Sequence, residues 1–270
     1  MTGPSPPVLG ADDVHVFFFG LEPAPGRLQA LRASLSPDEL SRADRFRSPW
    51  CDRFVAGRGQ LREILALYLD TDPRAVAFAY APSGKPALAG KGKVRFNLSH
   101  SASEAVLAIA RGRELGIDLE RIREDVECEG IARGFFSPAE TAALMALPST
   151  ARRQGFFRCW TRKEAFVKAK GEGLSIPLAD FDVSLDPEGP ARLLRTEWDP
   201  LEKARWSLRS IEAPPGFAAA LAVSGREPRV QMWRVPPSRR ERRFWLRERG
   251  ESPRGFSPTR RRTREGSPLR

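Results

Sequence analysis

Ser137-Pro138-Ala139-Glu140 repeats, 101 residues later, the pattern Ser36-Pro37-Asp38-Glu39. Both are capping boxes. Serine takes the N-cap, proline the first helical position, and glutamate follows three residues after the serine, so hydroxyl and carboxylate satisfy the amides that a helix start leaves open. The surroundings of the two boxes repeat at the same distance. A strand is predicted at 14–19 and again at 115–120. Apolar residues at Phe54, Leu61, Ile64, Leu65 and Tyr68 predict a helix over 52–69, and a second helix over 156–170 stands in the matching place. Strands at 75–80, 94–98 and 105–110 find counterparts at 182–185, 206–211 and 217–223. The run FAAALAVSG at 217–225 echoes EAVLAIARG at 104–112. These coincidences imply an internal duplication. The expected product is an α+β body of two similar α/β halves, 1–112 and 113–236, related by pseudo-twofold symmetry with a cleft between them.

A chain of 270 residues that is 41% hydrophobic has enough apolar surface for such a core, which excludes disorder throughout. Its net charge is +11, but 12 Arg and 4 Glu within 237–270 supply +8 and leave only +3 for the body. The basic balance of the whole is therefore no sign of a body that grips nucleic acid. The Arg-, Ser- and Pro-rich stretch 237–270 is expected to be disordered. Three cysteines without C-x-x-C spacing argue against a disulfide framework or zinc site and fit a reducing cytoplasm. No apolar run reaches membrane-spanning length, and the N-terminus lacks the features of a signal peptide.

Gly116-Ile117-Asp118-Leu119-Glu120 puts two carboxylates at i and i+2 of a predicted strand, on one face. Oxygen ligands without nearby His or Cys suit a hard cation such as Mg²⁺. The same five residues also read as a half-buried strand with a solvated polar face. On the helix over 156–170, Glu164 and Lys168 stand at i, i+4, the spacing of a surface salt bridge. Phe156, Phe157, Trp160, Phe166 and Val167 would instead bury much of that helix and bring Glu164 to an interior or cleft. Phe96-Asn97-Leu98-Ser99-His100-Ser101 leaves a strand with hydroxyls, amides and an imidazole on offer to a phosphate. Ser83-Gly84-Lys85-Pro86 reads as a turn. No G-x-S-x-G elbow, Walker A, G-x-G-x-x-G or H-E-x-x-H pattern occurs.

In order and spacing, four of these motifs resemble the 4′-phosphopantetheinyl transferases, specifically the large, internally duplicated surfactin-synthetase-type class. They are the G-K-P turn at 84–86, F-N-L-S-H-S at 96–101, G-I-D-L-E at 116–120 and W-T-R-K-E-A-F-V-K-A-K-G-E-G-L at 160–174. The resemblance covers about residues 14–225. It implies an enzyme that moves the phosphopantetheine arm of coenzyme A onto a serine of an apo acyl, polyketide or peptidyl carrier protein and releases adenosine 3′,5′-bisphosphate. It further implies Asp118, Glu120 and Glu164 as Mg²⁺ ligands and Lys168 as the lysine at the pyrophosphate. Lys85, Ser99 and His100 would hold the adenosine and its 3′-phosphate, joined by Arg42 after the first capping box. Glu164 would take the serine proton, directly or through a metal-bound water. Glu140 has a family counterpart too, but its N3 place in the capping box gives it a sufficient structural role. A monomer is expected, since duplicated halves can build the site within one chain.

Two other readings compete. The Arg-rich tail could make the chain a nucleic-acid binder, although no DNA-binding motif precedes it. A catalytically silent carrier-binding relative is the third, against which stand the three acidic residues and the lysine.

Overall fold

Strand β1 (Asp13–Gly20) is buried on both faces, and for that reason its sequence is apolar on both, at Val14 and from Val16 to Phe19 with only His15 between, rather than an alternation. In the computed structural model, which describes residues 8–90, 92–187, 189–236 and 246–248, two sheets lie face to face between two layers of helices. Val14, Val16 and Phe18 point between the sheets, while Phe17 and Phe19 point to the helices.

The first half runs β1, α1 (Pro25–Arg32), α2 (Pro37–Ala43), α3 (Trp50–Leu69), β2 (Phe78–Tyr80), β3 (Pro86–Leu88), β4 (Val94–Ser101) and β5 (Glu104–Arg111). The second runs β6 (Leu115–Arg121), α4 (Cys128–Phe135), α5 (Pro138–Ala146), α6 (Ser149–Lys170), β7 (Phe181–Val183), β8 (Leu193–Thr196), β9 (Trp206–Ile211) and β10 (Phe217–Ser224). The order β1-β5-β4 in one sheet is matched by β6-β10-β9 in the other. Register repeats as well: Val14 pairs with Ala110, and 101 residues after Val14, Leu115 pairs with Val223.

Both capping boxes form, and their glutamates continue inward along the same repeat. Glu39 Oε2 meets Arg62 Nε at 2.6 Å, and Glu140 Oε2 meets Lys163 Nζ at 2.7 Å, each glutamate and its cation lying 101 residues from its counterpart. Glu140 also accepts the Val183 amide at 2.7 Å. The duplication is thus visible in buried ion pairs as well as in strand order.

The halves differ where helix meets strand. A Cβ on Gly116 would lie 2.1 Å from the Ala165 carbonyl oxygen and 2.3 Å from the Ala169 amide, so α6 rests on the bare backbone of β6. The counterparts of Gly116 and Ala169 in the first half are His15 and Tyr68, whose Nδ1 and Oη lie 2.7 Å apart between strand and helix. Burial pushes the His15 imidazole down to about 4, so it is neutral at physiological pH.

Three features depart from the sequence expectation. β11 (Arg229–Arg234) falls within 113–236 but pairs in parallel with β1 of the first half, covering an edge whose residues are buried and need ladder partners. β12 (Leu246–Glu248), within the stretch expected to be disordered, pairs with β11; the remainder of 237–270 lies outside the described residues. Helices α1 and α4, of eight residues each, lie outside the elements expected from the sequence, although Cys128, Ile131, Ala132 and Phe135 give α4 an apolar stripe at helical spacing. Among the described residues no helix is long and apolar enough to cross a membrane.

Gly116→Ala should lower stability by at least about 3 kcal/mol, because only a shift of α6 can admit the methyl group. Glu140→Ala should cost about 3–5 kcal/mol by stranding the buried Lys163 ammonium. Denaturant midpoints measured by circular dichroism check both.

Candidate active site

The strand alternation of β6 places Ile117 and Leu119 in the core between the sheets and turns Asp118 and Glu120 toward α6. From α6, Lys168 Nζ reaches Asp118 Oδ1 at 2.5 Å and Ser99 Oγ at 2.9 Å. Its strongest partner is therefore across the fold and not Glu164 one turn back. Burial of Phe156, Phe157 and Phe166 anchors the helix, and Glu164 comes to a cleft, as the aromatic pattern implied.

That cleft has a volume of about 520 Å³, with Lys85, Asn97, Trp160, Glu164 and Lys168 among its lining residues. Its floor ends where α6 does. Gly171 caps the helix in the left-handed region at φ 76°, which glycine adopts without a Cβ penalty.

Electrostatically the carboxylates form one group. The Glu164 carboxyl is held above its usual range, first by burial and then by the negative charge of Asp118, with Lys168 opposing. Glu120 is raised in the same way, by burial and then Asp118, with a smaller push from Glu164, while Ser101 and Lys168 pull it down. Asp118 Oδ2 is buried with no hydrogen-bond partner among the described residues. An orphaned carboxylate oxygen beside two carboxylates that resist ionisation is a donor set suited to a hard divalent cation. Among the described residues, no group of three His, Cys, Asp or Glu side chains stands already arranged to hold a metal ion. The Lys168 ammonium lies on Asp118 at that place.

The expected nucleotide contacts are more dispersed. Lys85 lines the cleft, but its Nζ donates to the backbone carbonyls of Leu115 at 3.1 Å and Lys168 at 2.5 Å, tying the β2–β3 hairpin to both site elements. Desolvation holds its ammonium below the usual value. His100, the last residue but one of β4, is exposed, and its proton affinity is lowered, by desolvation first and by Lys168 second. Arg42 sits on the exposed face of α2 with its guanidinium over the Phe54 ring, and does not line this cleft. Arg58 is engaged in the first half's core, 2.7 Å from Glu39.

Sequence reasoning quoted Asn97, Ser101 and Trp160 within motifs and gave none of them a site role of its own. Asn97 Oδ1 accepts the Ile117 amide at 2.8 Å, Ser101 Oγ accepts the Arg121 amide at 3.1 Å, and Ser101 donates to Glu120 Oε2 at 2.9 Å. The alternation Asn97, Ser99, Ser101 was the available signal. In the first half the positions of Asp118 and Glu120 are Phe17 and Phe19, and that of Glu164 is Glu63, neutralised by Arg27. Among the described residues the acidic site occurs once.

Residues 114–222 match the profile described as the 4′-phosphopantetheinyl transferase superfamily. The chain is 40% identical over 228 residues to the 4′-phosphopantetheinyl transferase HetI of Nostoc sp., covering 82% of this chain and 93% of that protein. The chain belongs to the 4′-phosphopantetheinyl transferase superfamily. This superfamily member is also 27% identical over 191 residues to the transferase Sfp of Bacillus subtilis, covering 70% of this chain and 82% of that protein. Among solved structures, the holo-[acyl-carrier-protein] synthase of Thermotoga maritima aligns with TM-score 0.34 and 24% identity over 42% of this chain and 63% of that one. The profile match runs from the start of β6 into β10. It contains the three carboxylates and Lys168, whereas Arg42, Lys85, Ser99 and His100 of this transferase-family chain precede it.

Glu164→Gln should stabilise the fold at pH 8 when divalent cations are absent. A carboxyl whose folded value is raised above 4.5 gives its full stability below 4.5 and loses it as pH rises through the folded value, so the variant's gain should vanish at pH 4. Thermal unfolding in EDTA at the two pH values measures this.

Proposed function

We propose that the protein transfers the 4′-phosphopantetheine group of coenzyme A to a serine of an apo carrier protein, releasing adenosine 3′,5′-bisphosphate, with Asp118, Glu120 and Glu164 as ligands of Mg²⁺. The observation that carries this reading is the group of buried Asp118 and half-buried Glu120 and Glu164 on β6 and α6, with its orphaned Asp118 Oδ2, at the edge of a cleft large enough for part of a nucleotide. Family membership supplies the reaction.

A bound Mg²⁺ would neutralise and polarise the pyrophosphate. Lys168 brings a second positive charge to the same place and favours the charge that develops as the phosphorus–oxygen bond to the adenosine bisphosphate breaks. Glu164, at the cleft and with raised proton affinity, takes the proton of the attacking serine hydroxyl. Asp118 keeps the Lys168 ammonium oriented, and Ser99 shares it. Ser99, His100, Lys85 and Arg42 are proposed for the adenosine and its 3′-phosphate. Of these, Lys85 would have to leave or share its two carbonyl partners, and Arg42 would have to reach across from α2. Because both halves of one chain surround the cleft, a monomer suffices. Unpaired Cys51, Cys128 and Cys159 support a reducing, cytoplasmic setting.

Intact-protein mass spectrometry of apo carrier proteins incubated with the protein, coenzyme A and Mg²⁺ tests the proposal. The expected result is a gain of one phosphopantetheine per carrier, abolished by EDTA. Glu164→Gln and Asp118→Asn should each slow transfer by roughly 10²-fold or more while leaving the circular dichroism spectrum unchanged. Transfer at the normal rate in both variants would overturn the assignment of these carboxylates.

A further inference from the structure

β4 belongs to the first half and β6 to the second, and no backbone ladder joins them. What joins them is a row of side chains. Asn97, Ser99 and Ser101, spaced by two along β4, accept the backbone amides of Ile117, Leu119 and Arg121, spaced by two along β6, at 2.8, 3.3 and 3.1 Å. Each serine then passes its own proton on. Ser99 Oγ donates to Asp118 Oδ1 at 2.9 Å, and Ser101 Oγ donates to Glu120 Oε2 at 2.9 Å.

A serine hydroxyl has one proton and two lone pairs. For Ser99 all three are in use: the proton goes to Asp118, and the lone pairs receive the Leu119 amide and Lys168 Nζ, the latter at 2.9 Å. Ser101 is engaged on the same plan, its proton on Glu120 and a lone pair on the Arg121 amide. One oxygen of each carboxylate is thereby pinned. In Asp118 the other oxygen, Oδ2, is the buried atom that lacks a partner.

We propose that Ser99 and Ser101 are positioning residues, through which the edge strand of the first half orients the Asp118 and Glu120 carboxylates of the second half to receive a divalent cation. The proposal rests on the reading of those carboxylates as cation ligands. It gives Ser99 an orienting role beside the nucleotide contact proposed for it, and it adds Ser101. Partners that hydrogen-bond a metal ligand fix its orientation, and their loss weakens metal binding by about 10- to 100-fold.

Ser101 is the better position to test, being half-buried and next to the exposed Arg121, whose amide can turn to water if the hydroxyl is lost. Mn²⁺ binding to the full chain, followed by the electron paramagnetic resonance signal of free Mn²⁺, gives a readout independent of turnover. Wild type, Ser101→Ala, Ser101→Thr and Glu164→Gln are compared, with the Michaelis constant for coenzyme A measured at saturating Mg²⁺. Ser101→Ala should bind Mn²⁺ at least about 10-fold more weakly with the Michaelis constant unchanged. Ser101→Thr, which keeps the hydroxyl on a side chain suited to a strand, should restore the affinity. Wild-type Mn²⁺ affinity in Ser101→Ala, or a raised Michaelis constant for coenzyme A with metal binding intact, would overturn the proposal. Failure of wild type itself to bind Mn²⁺, with Glu164→Gln no different, would instead overturn the cation reading on which it rests. Ser99→Thr, measured in the same way, guards against a folding defect particular to one position.

Discussion

Backbone lies directly on backbone where α6 crosses β6, because Gly116 carries no side chain to hold them apart. This contact sets the distance between the two elements that carry the acidic residues. With it, Lys168 of the helix reaches Asp118 of the strand, and the charges of Glu120 and Glu164 are felt across the gap. Lys85 reinforces the same junction from the other half by holding a carbonyl of each element. A strand and helix further apart would leave the carboxylates solvated and separate, with ordinary proton affinities and no common task.

The duplicated architecture has been put to unequal use. Its scaffold survives in both copies, as the shared strand order and the paired Glu39–Arg62 and Glu140–Lys163 contacts show. The first copy of the acidic site has been filled: phenylalanines replace the two strand carboxylates, Arg27 neutralises Glu63, and a His15–Tyr68 pair occupies the space that Gly116 keeps closed in the second. What the first half supplies is an edge. β4 presents a row of hydrogen-bonding side chains to β6, while β11 returns from the second half to cover β1. Such mutual edge protection ties the halves together beyond the apolar layer between their sheets.

Much of this was legible before any coordinates. The capping boxes, the alternation at Gly116 to Glu120 and the long apolar-faced helices formed where the patterns put them, and the buried aromatics brought Glu164 to a cleft. Short elements were less visible. Helices α1 and α4 are short and lack the Ser-Pro-x-Glu start of α2 and α5, and β11 reads as a strand only once β1 is there to receive it. Within the site, the i, i+4 spacing of Glu164 and Lys168 suggested a local pair, yet the ammonium chose Asp118, a better-buried partner.

The sequence by itself determined the capped and long helices, the central strands, their duplicated order and the residue types at the candidate site. Those properties depend on interactions between residues a few positions apart: cap to first turn, one strand position to the next but one, one helical turn to the next. The tertiary structure alone decided the partners of the polar side chains at the site. Lys168 lies 50 residues from Asp118 and 69 from Ser99, and Lys85 lies 83 from the carbonyl of Lys168. No local period encodes such pairings, because they exist only after two sheets have packed and an unoccupied Cβ position has let a helix settle onto a strand.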